Sequence, residues 1–236
     1  MCEYFILTKT SGENLIDDTK NQIVCLYGDV HILPKNNLTH YSTSGLFEKN
    51  LIEWCKQFGR KDKIFLDIGA HTGTYAISLS DLYSKVYAFE PQRMTYYSLC
   101  GSVALSNKQN VICIQCGLGS AEQVGTRLLN IVSADGGGST LHKESHMSIL
   151  NTEEVEIKTL DSFGLTDIGF IKIDAENNEL QILLSAVDTL CNSHYPPILF
   201  EMNTQNPELL FFLQNMNYNI IPLQNCTNMF LAVINQ

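Results

Sequence analysis

The sequence predicts an α/β fold: a doubly wound, Rossmann-like sheet that is mostly parallel, carries helices on both faces and closes in an antiparallel C-terminal hairpin. Three observations predict it. Short apolar runs alternate with helical patterns from residue 63 onward, as parallel strands joined by crossover helices require. The run Phe65-Leu66-Asp67-Ile68 breaks into a glycine-containing turn that opens a helix. The strand-like runs 218–223 and 229–234 are joined by a short connection, and two strands joined in that way are antiparallel.

Residues 21–33 place two β-rich runs around Gly28-Asp29, a hairpin signal. Ser44 then stands where it can cap a helix whose apolar residues Phe47, Leu51, Trp54, Cys55 and Phe58 recur at helical spacing, with Gly59 ending it. These pieces make an N-terminal extension over residues 1–60, and the core follows over 61–236. KIFLDIG (63–69), a helix from Thr74, KVYAFE (85–90), a helix over 92–106 and NVICIQC (110–116) read as a βαβαβ half. After an irregular stretch come a strand near 153–159, the strand GFIKID (169–174), a helix over 178–190, the strand PILFEM (197–202), a helix near 207–215 and the closing pair.

A chain of 236 residues, 44% of them hydrophobic, can bury one sizeable core and suits a single α/β domain. Its net charge of -10, with only 15 Lys plus Arg, repels a phosphate backbone and argues against bulk nucleic-acid binding. The start MCEYFILTKT has no basic region followed by an apolar core. No run approaches the ~18 apolar residues that span a bilayer, so a cytoplasmic protein is expected. The asparagine-rich composition points to an A+T-rich coding source of viral or parasitic type. Among eight cysteines the one close pair, Cys113 and Cys116, faces opposite sides of a strand, which reads as structural thiols.

In the turn Gly69-Ala70-His71-Thr72-Gly73 the glycines let backbone approach a ligand, Ala70 is small, and His71 belongs to the few non-glycine types that adopt positive φ. The G-x-x-x-G spacing differs from the G-x-G-x-x-G of dinucleotide sites. Asp67, at the strand end, opposes a diphosphate and attracts an ammonium group. S-adenosylmethionine (SAM), whose methionine end carries an ammonium, is the cofactor this favours. Glu90, followed by Pro91, ends the second strand where a carboxylate can accept hydrogen bonds from both ribose hydroxyls. Cys116 and Gly117 end the third, where small residues leave room for an adenine.

Lys172 and Asp174 alternate onto one face of a central strand. Lys172 reads first as a structural partner of a carboxylate, while Asp174 and Glu176 stand at the carboxyl end of the strand, where open α/β sheets bind ligands. Methyl transfer to a hydroxyl needs the acceptor oxygen in line with the methyl group, and a base or a metal to deal with its proton. Asp174 and Glu176 can do either, with Asp174 as the positioning group or base. Together with Glu201 they could instead hold a hard divalent ion, the less favoured alternative. The loop 135–146, with Gly136, Gly137 and Gly138 and the histidines His142 and His146, reads as an acceptor-side lid in which His142 is a candidate base.

These residues together resemble the FkbM family of SAM-dependent methyltransferases, from about Gly45 to Met202. The resemblance is carried by FLDIGAHTGTYAISL, KVYAFEP, NVICIQCGLGS, VEIKTLDSFGLTDIGFIKIDAENNELQILLSA and PPILFEM in that order. It implies the class I methyltransferase sheet, O-methylation of a sugar, glycan or other hydroxylated metabolite, and a place for Glu48 near the cofactor. The chain departs at 103–106 and at Asn177, where the family continues Asp-x-Glu-Gly; asparagine tolerates left-handed backbone, so the turn itself can survive. An RNA-cap ribose 2'-O-methyltransferase using Lys172, Asp174 and Glu201, a dinucleotide-dependent oxidoreductase and a non-catalytic SAM-binding protein are the competing readings. The N-terminal extension could cover the acceptor site or form a homodimer contact.

Overall fold

The computed structural model describes residues 4–10, 13–15, 29–143, 147–224 and 226–234. The chain opens with β1 (Tyr4–Thr10), β2 (Glu13–Leu15) and β3 (Val30–Pro34), an antiparallel sheet in the order β2-β1-β3. Two short helices follow, α1 (Leu38–Ser44) and α2 (Lys49–Cys55). Then come β4 (Arg60–Ile68), α3 (Thr74–Leu79), β5 (Tyr83–Phe89), α4 (Arg93–Leu105) and β6 (Val111–Ile114). Three strands stand apart, β7 (Gly117–Leu118), β8 (Gly125–Ile131) and β9 (Asn151–Lys158). The chain finishes with β10 (Ile168–Ile173), α5 (Glu179–Leu184), α6 (Val187–Asn192), β11 (Ile198–Glu201), α7 (Pro207–Asn215), β12 (Tyr218–Pro222) and β13 (Met229–Ile234).

The central sheet runs β12-β13-β11-β10-β4-β5-β6. β11, β10, β4, β5 and β6 are parallel, and β13 lies antiparallel to both β11 and β12, as the closing pair requires. Period-2 alternation sorts the strands onto two layers. Leu66, Ile68, Ile171 and Ile173 face a layer holding Leu180, Ile182, Leu183, Leu190, Leu209 and Leu213 of α5, α6 and α7. Phe65, Val86, Ala88 and Phe170 face the other, with Leu51, Ile52, Ala76, Leu79 and Leu99 of α2, α3 and α4. Asp67 and Lys172 are in phase with Phe65 and Phe170, so the two charges point into the α2/α3 side. No helix among the described residues is long and apolar enough to cross a membrane.

The first run of the hairpin expected at 21–33 lies outside the described residues; its second run contains β3, which pairs with Tyr4–Thr10. Two expected helices need correction. The helix expected from Ser44 starts instead at Lys49: Ser44 is the last residue of a preceding helix, α1, Gly45 turns the chain at φ 80°, and Glu48 enters α2 at φ 54°. The helix expected over 178–190 breaks at Ser185, where the Asp161 carboxylate accepts from Asp188 N, Thr189 N and the Thr189 hydroxyl and so satisfies the free donors of a new helix start. The strand expected near 153–159 is present as β9, which pairs with β7 and β8 outside the central sheet.

Among the described glycines Gly69 is the most tightly hemmed in. Its φ is +73°, and a Cβ there would lie 1.8 Å from the carbonyl oxygen of Asp174. Gly69→Ala should lower unfolding free energy by about 2–4 kcal/mol in denaturant melts, the sum of left-handed strain and a backbone clash. Gly125→Ala, at φ +100° with open space around it, carries only the strain and should cost less.

Candidate functional site

The carboxyl ends of β4, β5, β6 and β10 frame a cavity of about 300 Å³. Glu48, Gly69, Ala70, His71, Glu90, Pro91, Cys116, Gly117, Lys172, Asp174 and Glu176 all line it. Asp67 and Gly73 do not. Asp67 is 0% exposed, and its Oδ2 accepts from Ala76 N at 2.8 Å inside the first turns of α3. Burial pushes its pKa up to about 6 against the opposing pull of Lys172. Asp67 therefore anchors the turn from behind, and the expectation that it meets a ligand's ammonium is corrected. Gly73, at φ +88°, makes room for Leu99, as Gly69 makes room for the Asp174 carbonyl.

His71 takes φ 50°, the left-handed conformation expected of it. Its N–H donates to Glu90 Oε2 at 2.8 Å, and its Nε2 stands 2.8 Å from the carbonyl oxygen of Asp135. A carbonyl only accepts, so Nε2 carries the proton in this arrangement. Glu90 is buried; its Oε1 accepts from Gln92 N at 2.9 Å and the Thr95 hydroxyl at 2.8 Å. These bonds fix the carboxylate in the cavity wall at the end of β5.

Lys172 is buried at the centre of the site. Its Nζ donates to Gly69 O at 3.0 Å, lies 3.3 Å from Asp174 Oδ2 and 3.9 Å from Asp67 Oδ1, and sits 5.3 Å from the Tyr75 ring centroid. Burial alone would lower the pKa of this ammonium, but Asp174, Asp67 and Glu48 outweigh it and hold the pKa above the ordinary lysine value. Glu176 and Asn177 take φ 51° and 74°, so the residue that replaces the family glycine does adopt the left-handed region. Beyond Asp174, one ligand-type oxygen from each of Asp174, Glu176 and Glu201 falls within 4.8 Å of the others. Burial, then the neighbouring carboxylates, raise Glu176 and Glu201 above the usual carboxylate range. Asn203 Nδ2 donates to Glu201 Oε2 at 2.7 Å.

The segment 135–141 of the glycine-rich loop lines the cavity through Asp135, Gly136, Gly137, Gly138, Ser139 and Leu141. It is held by His71, by Asn37 Nδ2 donating to Asp135 Oδ2 at 2.7 Å, by the Ser139 hydroxyl on Gln92 Oε1 and by the Thr140 hydroxyl on Glu176 O. His142 does not line the cavity, and His146 lies outside the described residues. Asn37, Tyr41, Phe47 and Tyr75 also line it and were missed. Tyr75 was within reach of sequence reasoning, since it lies two residues beyond the turn. Its hydroxyl donates to Glu48 Oε2 at 2.8 Å.

A parallel sheet with an antiparallel end strand, opening a cavity at a glycine turn, is the Rossmann-like methyltransferase fold. Residues 67–220 match the family model described as methyltransferase FkbM domain, and the chain belongs to that family. Methyltransferase 1 of Beauveria bassiana (strain ARSEF 2860) is 25% identical over 145 residues, 52% of this chain and 57% of that protein. Among solved structures, methyltransferase FkbM from Methylobacillus flagellatus KT superposes with TM-score 0.52 at 18% identity, over 73% of this chain and 44% of that one. Precorrin-6y C5,15-methyltransferase from Geobacter metallireducens GS-15 gives TM-score 0.52 at 13% identity, over 82% and 92%. The chain thus spans little more than half of its curated relative.

The raised pKa of Glu201 sets a sign for pH dependence. The unfolded chain ionises this carboxyl near the ordinary glutamate value of 4.5, while burial and the neighbouring carboxylates let the folded chain hold the proton up to about 8, so stability is lost as pH rises through that window. Glu201→Gln should melt together with the wild type near pH ~4 and at progressively higher relative temperature towards alkaline pH. A gap that does not widen with pH would show that the cluster is not strained.

Proposed function

We propose that this chain is a SAM-dependent O-methyltransferase acting on a hydroxyl of a sugar or glycan. One observation carries the cofactor reading: the cavity is lined by five carboxyl side chains, Glu48, Glu90, Asp135, Asp174 and Glu176, against the single ammonium of Lys172. Such a wall favours a cationic ligand and repels a diphosphate. The same charge speaks against a phosphorylated or nucleic-acid acceptor.

In this reading Glu90 takes the ribose hydroxyls. Cys116, Gly117 and Leu118, with Ile157 and Ile182 beside them, offer an apolar slot for the adenine, and Glu48 with the turn 69–71 takes the methionyl end. When bound, SAM supplies a methyl group on a sulfonium, a good electrophile. The chain's own part is to hold the acceptor oxygen and remove its proton. Asp174, fixed by Lys172 at 3.3 Å, orients the acceptor hydroxyl. Glu176, as the carboxylate whose proton affinity burial raises, receives the proton as the O–H bond breaks and the acceptor oxygen bonds to the methyl carbon. The loop segment 135–141 limits water at the reacting centre. Because Lys172 already counters Asp174, the proposal requires no divalent ion.

Calorimetric titration with SAM, its demethylated product and NAD tests the reading. SAM and the product should bind and NAD should not, and Glu90→Gln should weaken SAM by roughly tenfold, or ~1.4 kcal/mol. NAD binding by folded protein that ignores SAM would overturn it.

A further inference from the structure

The cavity mouth carries an aromatic wall that the cofactor reading leaves unused. Phe47, in the link between α1 and α2, lines the cavity and is 41% exposed. It is held firmly for so exposed a ring. It stacks on His40 with centroids 3.9 Å apart and planes 7° apart, and meets Tyr41 edge-on at 5.1 Å. Tyr41 is buried and packs on Phe5 at 5.6 Å.

We propose that Phe47 is the acceptor-recognising residue of this site, and that it stacks against one face of an uncharged pyranose ring, one hydroxyl of which is met by the Asn37 amide. The proposal rests on the methyl-transfer reading above. An aromatic face is electron-rich, and the C–H face of a pyranose is apolar and faintly positive, so the two stack. A ring already fixed by its neighbours loses little freedom on binding. The polar group beside it fits a hydroxyl donor: the Asn37 amide nitrogen is used on Asp135, which leaves its oxygen to accept.

Position and charge narrow the occupant further. Glu48 adjoins Phe47 in the chain and is joined through Tyr75 to Lys172 and Asp174. The wall therefore borders the Asp174 end of the cavity and not the Cys116–Leu118 end. The five lining carboxyl groups exclude a ring that carries phosphate or carboxylate. An uncharged sugar remains.

Saturation-transfer NMR on the full chain, with methyl glucopyranoside, methyl mannopyranoside and methyl galactopyranoside as probes and glucose 6-phosphate as the anionic control, tests this. At least one neutral glycoside should take up saturation on its ring C–H protons, and the phosphate should not. Phe47→Ala should weaken that glycoside by roughly tenfold, whereas Phe47→Trp should keep it. Calorimetry with the demethylated cofactor product should give the same affinity for Phe47→Ala and wild type, because the ring does not hold the cofactor. No saturation of any neutral glycoside, equal saturation with Phe47→Ala, or a loss of product affinity in that variant would each overturn the assignment. The NMR arm is run on protein without cofactor. A wild type that binds a glycoside through Phe47 but no cofactor would therefore sink the methyltransferase reading and leave the sugar wall standing.

Discussion

An ammonium group buried at the junction of two central strands is the constraint on which the site depends. Lys172 gives up its hydration, and each buried charge of this kind costs several kcal/mol unless partners replace the water. Its partners here are the Gly69 carbonyl, Asp174 and, at longer range, Asp67. Those three belong to the turn after β4, to the end of β10 and to β4 itself. A single side chain thereby sets how the two strand ends meet. The backbone repeats the connection, since Asp174 N donates to Ile68 O at 3.1 Å.

Crowding behind the turn explains why the cavity is walled mainly by other elements. Gly69 and Gly73 are glycines because the protein's own Asp174 carbonyl and Leu99 press against them, and Asp67 is used up on α3. What faces the cavity from this turn is mostly backbone with the small Ala70 and the His71 ring. Chemical character comes from Glu48 at the start of α2, from Glu90 at the end of β5, from the 135–141 loop and from the end of β10. Each is fixed by a hydrogen bond or ion pair with a neighbouring element, so the acidic lining is a property of the whole assembly.

The parallel core was legible because alternation and strand ends are local features. The runs at 63–69, 85–90, 110–116, 169–174 and 197–202 all become central strands, and Glu90, Cys116 and Asp174 reach the cavity because each stands at or just past such an end. Asp67 shows the limit: period 2 assigns a side chain to a face, but not whether a helix covers that face. Phe47 was missed for a backbone reason: it stands in the turn between Gly45 and Glu48, both at positive φ, and helical spacing of apolar residues conceals such a turn. Asn37 and Tyr41 were missed with α1, a seven-residue helix that no apolar period announces. β8 was overlooked because Leu128 and Leu129, one exposed and one buried, sit among residues of weak strand preference.

The loop over the cavity leaves from β8 and returns on β9, and those strands are antiparallel neighbours with Ile131 opposite Asn151. Its two ends are thus already side by side before the loop closes. Lengthening a loop between fixed ends is cheap, about 0.6 kcal/mol for each doubling, and the hinge strands lie outside the central sheet. Length can therefore be added between Ile131 and Asn151 without disturbing the register of any strand that carries Glu90 or Asp174. The scaffold thus separates the wall built by a connection from the wall built by the strand ends.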